Sequence, residues 1–127
     1  MEIETRMEEI ASVGGQMPIY VAEPKDDGKY PIVVVFMEAF GVNDHIKALT
    51  DRFAAEGYTA ISPDLYYRNG KMVVAGYTEF QKLMPLMQNM TDTDTVADAK
   101  AAIDFAKGLP KAKGDSIGCT GYCMGGT

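Results

Sequence analysis

Two apolar rhythms alternate along this chain, one continuous and one helical. Tyr30 to Met37 is an unbroken β-branched and aromatic run, a pattern apolar on both faces that predicts a parallel strand covered by helices on each side. Tyr58 to Ser62 and Ile117 to Thr120 are shorter runs of the same kind. Between the first two, Ile46, Leu49 and Phe53 fall on one face of a predicted helix that Asn43 or Asp44 can cap and Gly57 ends. Before the third run, Thr91 to Lys107 carries Val96, Ala99, Ile103 and Ala106 at helical spacing, and Gly108-Leu109-Pro110 closes it. Tyr77 to Met90 has helical spacing too, interrupted by Pro85, and its methionines read as packing filler.

The first part of the chain has a different character. Ile3 to Ser12 and Met17 to Ala22 read as strands joined at Gly14-Gly15, a tight-turn signal, so an antiparallel hairpin is expected. Pro24 to Gly28 is a polar loop and Asn69 to Gly76 has no clear period. Strand, helix, strand, helix, strand then predicts a βαβαβ unit with right-handed crossovers. The fold class is α/β, and residues 1–127 are expected to belong to a single, incomplete domain, with no internal repeat or domain linker in the sequence.

Composition narrows the partners. Hydrophobic content of 46% with 24% charged residues belongs to a globular protein. A net charge of -6 argues against a nucleic-acid surface. No apolar run approaches membrane-spanning length, and Met1 to Arg6 lacks the apolar core of a signal peptide. Two cysteines do not make a disulfide framework, so a cytoplasmic location is expected.

The chemistry concentrates after the last strand. Gly121-Tyr122-Cys123-Met124-Gly125-Gly126 has the form of a nucleophile elbow with cysteine at its apex. Glycines around the apex allow a sharp strand-to-helix reversal. A helix starting there aims free N–H groups and partial positive charge at the thiol, favouring thiolate. The spacing lacks the dinucleotide Gly-x-Gly-x-x-Gly pattern, and no Gly-Lys-Ser/Thr follows. Cys119 and Cys123 with one distant histidine do not complete a metal site. A nucleophilic or a structural Cys123 both fit the turn taken alone, and Cys119, within the strand pattern, is expected in the core. Ligands collect at the C-terminal ends of parallel strands, and Glu38, Asp64 and Cys123 all follow such ends, which favours the nucleophile. Asp64 is read as a turn or capping residue and His45 as a surface or capping residue.

Three segments in order, Glu38-Ala39-Phe40-Gly41-Val42-Asn43, Pro63-Asp64-Leu65-Tyr66-Tyr67-Arg68 and Gly121-Tyr122-Cys123-Met124-Gly125-Gly126, resemble the dienelactone hydrolase (carboxymethylenebutenolidase) family of α/β-hydrolases. The resemblance runs over nearly the whole chain. It implies hydrolysis of lactones or other carboxylic esters, without metal or organic cofactor. It implies Cys123 as nucleophile, Glu38 as the carboxylate pairing with its thiol, and an oxyanion hole of the Met124 and Ala39 backbone N–H groups. No arginine follows Arg68, so a broader ester fits as well as dienelactone.

The family completes its triad with an aspartate and a histidine beyond the elbow, so the chain is expected to be the N-terminal half of such a domain. Ile117 to Thr120 would then form an open sheet edge, prone to self-association or to capture of a complementing chain. The alternative to an ester hydrolase is therefore a non-catalytic half-domain that associates in one of those ways.

Overall fold

The computed structural model describes residues 2–12, 14–37, 41–67, 81, 84 and 91–120. Among them are strands β1 (Ile3–Ser12), β2 (Gly15–Pro24), β3 (Tyr30–Val35), β4 (Thr59–Pro63) and β5 (Ala112–Thr120), with helices α1 (Asp44–Ala55) and α2 (Asp92–Lys107). The five strands form one sheet in the order β1-β2-β4-β3-β5. β1 and β2 are the expected hairpin, antiparallel from Ile3↔Pro24 to Ser12↔Gly15, so β2 extends past both ends of the Met17–Ala22 run. β2 joins β4 antiparallel, whereas β4, β3 and β5 run parallel.

This order dictates where the helices lie. The chain steps from β3 to β4 in one direction, then from β4 back across β3 to β5. Right-handed crossovers therefore put α1 and α2 on opposite faces. The core divides accordingly. On the α2 face Met17, Ile19, Val21, Ile32, Val34 and Ile61 pack with Ala102 and Ala106. On the α1 face Val33, Val35, Met37 and Val42 pack with Ile46, Leu65 and Tyr66. β3 contributes alternate side chains to both layers, which is why its sequence is apolar without interruption.

Both helices end as their sequences predict. The Asn43 side chain accepts the Ile46 N–H at 3.1 Å, and the Thr91 side chain accepts the Asp94 N–H at 3.1 Å. Past α1, Gly57 takes φ 99°, a left-handed backbone that suits glycine. There the Gly57 N–H donates to the Ala54 carbonyl at 3.0 Å and the Tyr58 N–H to the Phe53 carbonyl at 3.2 Å. The Phe53 and Tyr58 rings meet edge to face at 6.0 Å, supplying the apolar contact that accompanies this helix stop.

Three expectations need correction. The buried stripe of α2 is Asp98, Ala102 and Ala106, while Val96 is 68% exposed. The small alanines let the helix approach the sheet, and Asp98 is drawn inward by hydroxyl donors, a gain that apolar spacing does not register. β5 begins at Ala112, earlier than the apolar run, because Ala112 and Lys113 pair with Tyr30 and Pro31 before a register shift. Cys119 is exposed and not a core residue. Its partner in register is Val34, but β5 is the edge strand of the described sheet, and Ile117 and Gly118 beside it are exposed as well. The predicted helix between Tyr77 and Met90 lies almost wholly outside the described residues.

Burial sets the cost of truncating each apolar strand residue. Ile61 is fully buried in a central strand, and Ile117 is 37% exposed on the edge strand. Ile61→Ala should lower the unfolding free energy by about 2–5 kcal/mol, and Ile117→Ala by about 1 kcal/mol or less. Urea unfolding of the two variants beside the parent protein checks this difference.

Candidate active site

The parallel strands β3, β4 and β5 all finish at the same edge of the sheet. Val35 pairs with Thr120 at the last rung, and the Phe36 N–H donates to the Thr120 carbonyl at 2.8 Å. Two of the quoted segments therefore leave neighbouring strands at one level: residues 38–40 after β3, and residues 121–127 after β5. The four residues that carry the expected chemistry, Glu38, Ala39, Cys123 and Met124, lie outside the described residues. What is described is the frame on which they are mounted.

Anchors hold that frame on both sides of residues 38–40. Met37 is fully buried and Val42 nearly so, and both belong to the cluster on the α1 face with Leu65 and Tyr66. Gly41 has φ 90°, a backbone that favours glycine just before the Asn43 cap.

Beside it lies the loop that leaves β4. The Asp64 N–H donates to the Pro18 carbonyl at 2.9 Å, adding a bond beyond the last β2–β4 rung. The fully buried Asp64 carboxylate accepts the Tyr66 N–H at 3.1 Å, and the Tyr67 N–H reaches the Asp64 carbonyl at 3.3 Å. Asp64 thus has the turn role its sequence position suggests. The two tyrosines then part company. Tyr66 enters the core on the α1 face and Tyr67 the core on the α2 face, so this loop straddles the top of the sheet.

Tyr67 is held by α2. Its hydroxyl donates to Asp98 Oδ1 at 3.0 Å, and the Ser12 hydroxyl donates to the same oxygen at 2.6 Å. Asp98 is 1% exposed, so these donors replace hydration that a buried carboxylate would otherwise lose. Sequence reasoning missed this arrangement. The available signal was the Tyr66-Tyr67 pair after a strand, together with a carboxylate in a helix whose other inward positions are alanines.

Electrostatics at this edge are set by burial. Removal from water, with a smaller contribution from the negative charge of Asp64, pushes the Tyr66 hydroxyl up to about 12. His45 is exposed near the start of α1. Among the described residues no group of three His, Cys, Asp or Glu side chains could hold a metal ion, and no helix is long and apolar enough to cross a membrane.

With that geometry in place the comparisons are decisive. The Dienelactone hydrolase family profile matches residues 17–127. The chain belongs to this family. A relative from Synechocystis sp. (strain ATCC 27184 / PCC 6803 / Kazusa), provisionally named a carboxymethylenebutenolidase, is 37% identical over 99% of the chain and 52% of its own length. Carboxymethylenebutenolidase 1 of Cupriavidus pinatubonensis (strain JMP 134 / LMG 1197) is 29% identical over 89% of the chain and 49% of its own length. A crystal structure of a provisionally named dienelactone hydrolase from Klebsiella pneumoniae subsp. pneumoniae MGH 78578 superposes with a TM-score of 0.87. It is 36% identical, over 98% of this chain and 52% of that one. The chain thus spans about half the length of these dienelactone hydrolase relatives, and it has their α/β fold.

The Tyr66 environment carries a pH consequence. In the folded protein its hydroxyl ionises near 12, against about 10 when unfolded. Below pH 10 both states hold the proton and nothing is lost. Between the two values only the unfolded state releases it, so stability should fall as pH rises through that window. The hydroxyls of Tyr20, by burial and its bond to Asp51, and of Tyr30, by its bond to Asp26, are also raised. The test is therefore a difference: Tyr66→Phe should remove one ionisation from the late part of the ultraviolet titration of the parent. Ionisation of every tyrosine by about pH 11 in the native protein would contradict the burial of this hydroxyl.

Proposed function

We propose that this dienelactone hydrolase-family chain contributes to hydrolysis of lactones or other carboxylic esters, with Cys123 as the nucleophile. The observation that carries this reading is the level exit of β3 and β5. Two parallel strands joined at their last rung supply the starting points of the Glu38 and Cys123 segments. In a parallel sheet this is the edge at which ligands gather.

The chemistry follows from the groups themselves. A free thiol is only a few per cent ionised near neutrality, so Cys123 needs a base or a helix terminus to become thiolate. A carboxylate partly withdrawn from water gains proton affinity, and that is the property this reading asks of Glu38 as acceptor of the thiol proton. Thiolate attack on the ester carbonyl forms a tetrahedral oxyanion, which the N–H groups of Met124 and Ala39 would stabilise. Collapse expels the alkoxide, and water then releases the acid from the thioester. The aspartate and histidine that activate this water belong, in this reading, to the part of the family domain beyond residue 127. The ligand is a small ester or lactone; nucleic acid and membrane have no part in the reading, and the compartment is the cytoplasm.

A second reading has its own observation. β5 is the edge of the described sheet, Ile117 is 37% exposed and Cys119 is exposed. A groove of about 540 Å³ runs along Pro31, Ile32, Val33, Phe53, Tyr58 and Ser116 to Thr120. A Cβ built on Gly118 would meet nothing within 4 Å. Such an edge recruits another strand, from a second copy or from a complementing C-terminal half. In this reading the 127 residues alone are an associating half-domain without turnover.

Light scattering and hydrolysis of an activated phenyl ester separate the two. The 127-residue chain alone should associate and hydrolyse the ester no faster than a simple thiol. Adding a C-terminal half from a family member should bring saturable hydrolysis that Cys123→Ala abolishes and Cys119→Ser leaves within about twofold. A monomeric 127-residue chain with saturable hydrolysis lost in Cys123→Ala would overturn the dependence on a second half. Hydrolysis by the completed enzyme that survives Cys123→Ala would overturn the nucleophile.

A further inference from the structure

The buried carboxylate of Asp98 lies on a helix that none of the three sequence segments includes, yet it grips the second of them, the loop after β4. It accepts the Tyr67 hydroxyl at 3.0 Å and the Ser12 hydroxyl at 2.6 Å, both on Oδ1. Tyr67 cannot shift without leaving a buried donor or carboxylate with a lost partner. Its neighbour Tyr66 shares the opposite core cluster with Met37 and Val42, the anchors on either side of residues 38–40. Asp64 bonds the Tyr66 N–H and thereby ties the two tyrosines to one turn. The described connections thus run from α2, over the top of the sheet, to the core cluster that holds Met37 and Val42.

We propose that Asp98 is a positioning residue: through Tyr67 and the straddling turn it holds Met37 and Val42, the anchors on either side of residues 38–40, and thereby serves the proposed action of Glu38 on Cys123. The last step rests on the proposed pairing of Glu38 with the Cys123 thiol. Asp98 touches neither substrate nor reacting atoms. Its contribution is to keep the turn from rocking over the end of the sheet, because the two tyrosines are inserted on opposite faces and Asp98 fastens the Tyr67 side to α2.

Two measurements on the native protein test this, neither of which needs turnover. One is amide hydrogen exchange in peptides spanning residues 36–43. The other is the pH midpoint of Cys123 alkylation by iodoacetamide, mapped by mass. Tyr67→Phe and Asp98→Ala should each speed exchange about tenfold or more, and should move the alkylation midpoint in the same direction as Glu38→Gln does. Asp98→Asn retains an acceptor oxygen and should stay within about twofold of the parent, as should Ser12→Ala, which removes the bond on the hairpin side.

Parent-like exchange in Tyr67→Phe would overturn the proposal. So would an equal effect of Ser12→Ala, which would mean general loosening, or failure of both Tyr67→Phe and Asp98→Asn to fold, which would mean a structural role alone. An unmoved midpoint in Tyr67→Phe, where Glu38→Gln does move it, would overturn it as well. If Glu38→Gln leaves the midpoint in place, the thiol–carboxylate pairing has failed, and exchange in residues 36–43 by itself then decides whether Asp98 holds the segment.

Discussion

The parallel pairing of β3 with β5 is the constraint on which the rest depends. It forms only after the chain has gone from β3 out to β4 and returned across the sheet, so its contacts join residues far apart in sequence. Loop closure of that span is unfavourable and must be offset by burial. The offset comes from β3, whose side chains feed both core layers, with α1 closing one and α2 the other. Once the pairing is made, the Phe36–Thr120 bond sets the two strand ends level. The segments that follow then start from fixed neighbouring points, which is the first requirement for two side chains to react with each other.

The loop after β4 gives this edge its second constraint. An end of a parallel sheet has backbone groups to satisfy and two core layers to seal. Asp64 serves the backbone, while Tyr66 and Tyr67 seal one layer each. The division of labour explains the buried polar chemistry here: a carboxylate within the turn, and a second one on α2 receiving the Tyr67 hydroxyl. Dienelactone hydrolase-family membership accounts for the presence of these segments, and packing accounts for their form.

Much of this was legible in the sequence because its causes are local. The Ile32–Val35 run, the Asn43 and Thr91 caps, and the Gly57 stop each declare themselves within a few residues. The α/β alternation was legible too, but the order β4-β3-β5 was not, because handedness fixes the face of each helix only once the order is known. What was hidden depends on distant partners. Cys119 reads as a core residue because its strand pattern is apolar, yet it is exposed on β5, the edge strand of the described sheet. Val96 continues an apolar period, but α2 turns Asp98 inward because Ser12 and Tyr67, from elements far along the chain, present hydroxyls to it. No window of sequence contains both sides of such a bond. The site residues themselves, Glu38, Ala39, Cys123 and Met124, were legible only as motif members following strand ends.

The two cysteines provide the most direct test of the account. Cys119 is exposed on the edge strand, so access alone would make it react readily. Under the proposed function Cys123 is the nucleophile, activated by a carboxylate or a helix terminus, and its thiolate would form at lower pH. Mass-mapped alkylation near pH 7 should therefore modify Cys123 faster than the exposed Cys119 in the native protein, and the difference should vanish in concentrated urea. Equal native rates, or a faster Cys119, would contradict the claim that this sheet edge activates the thiol.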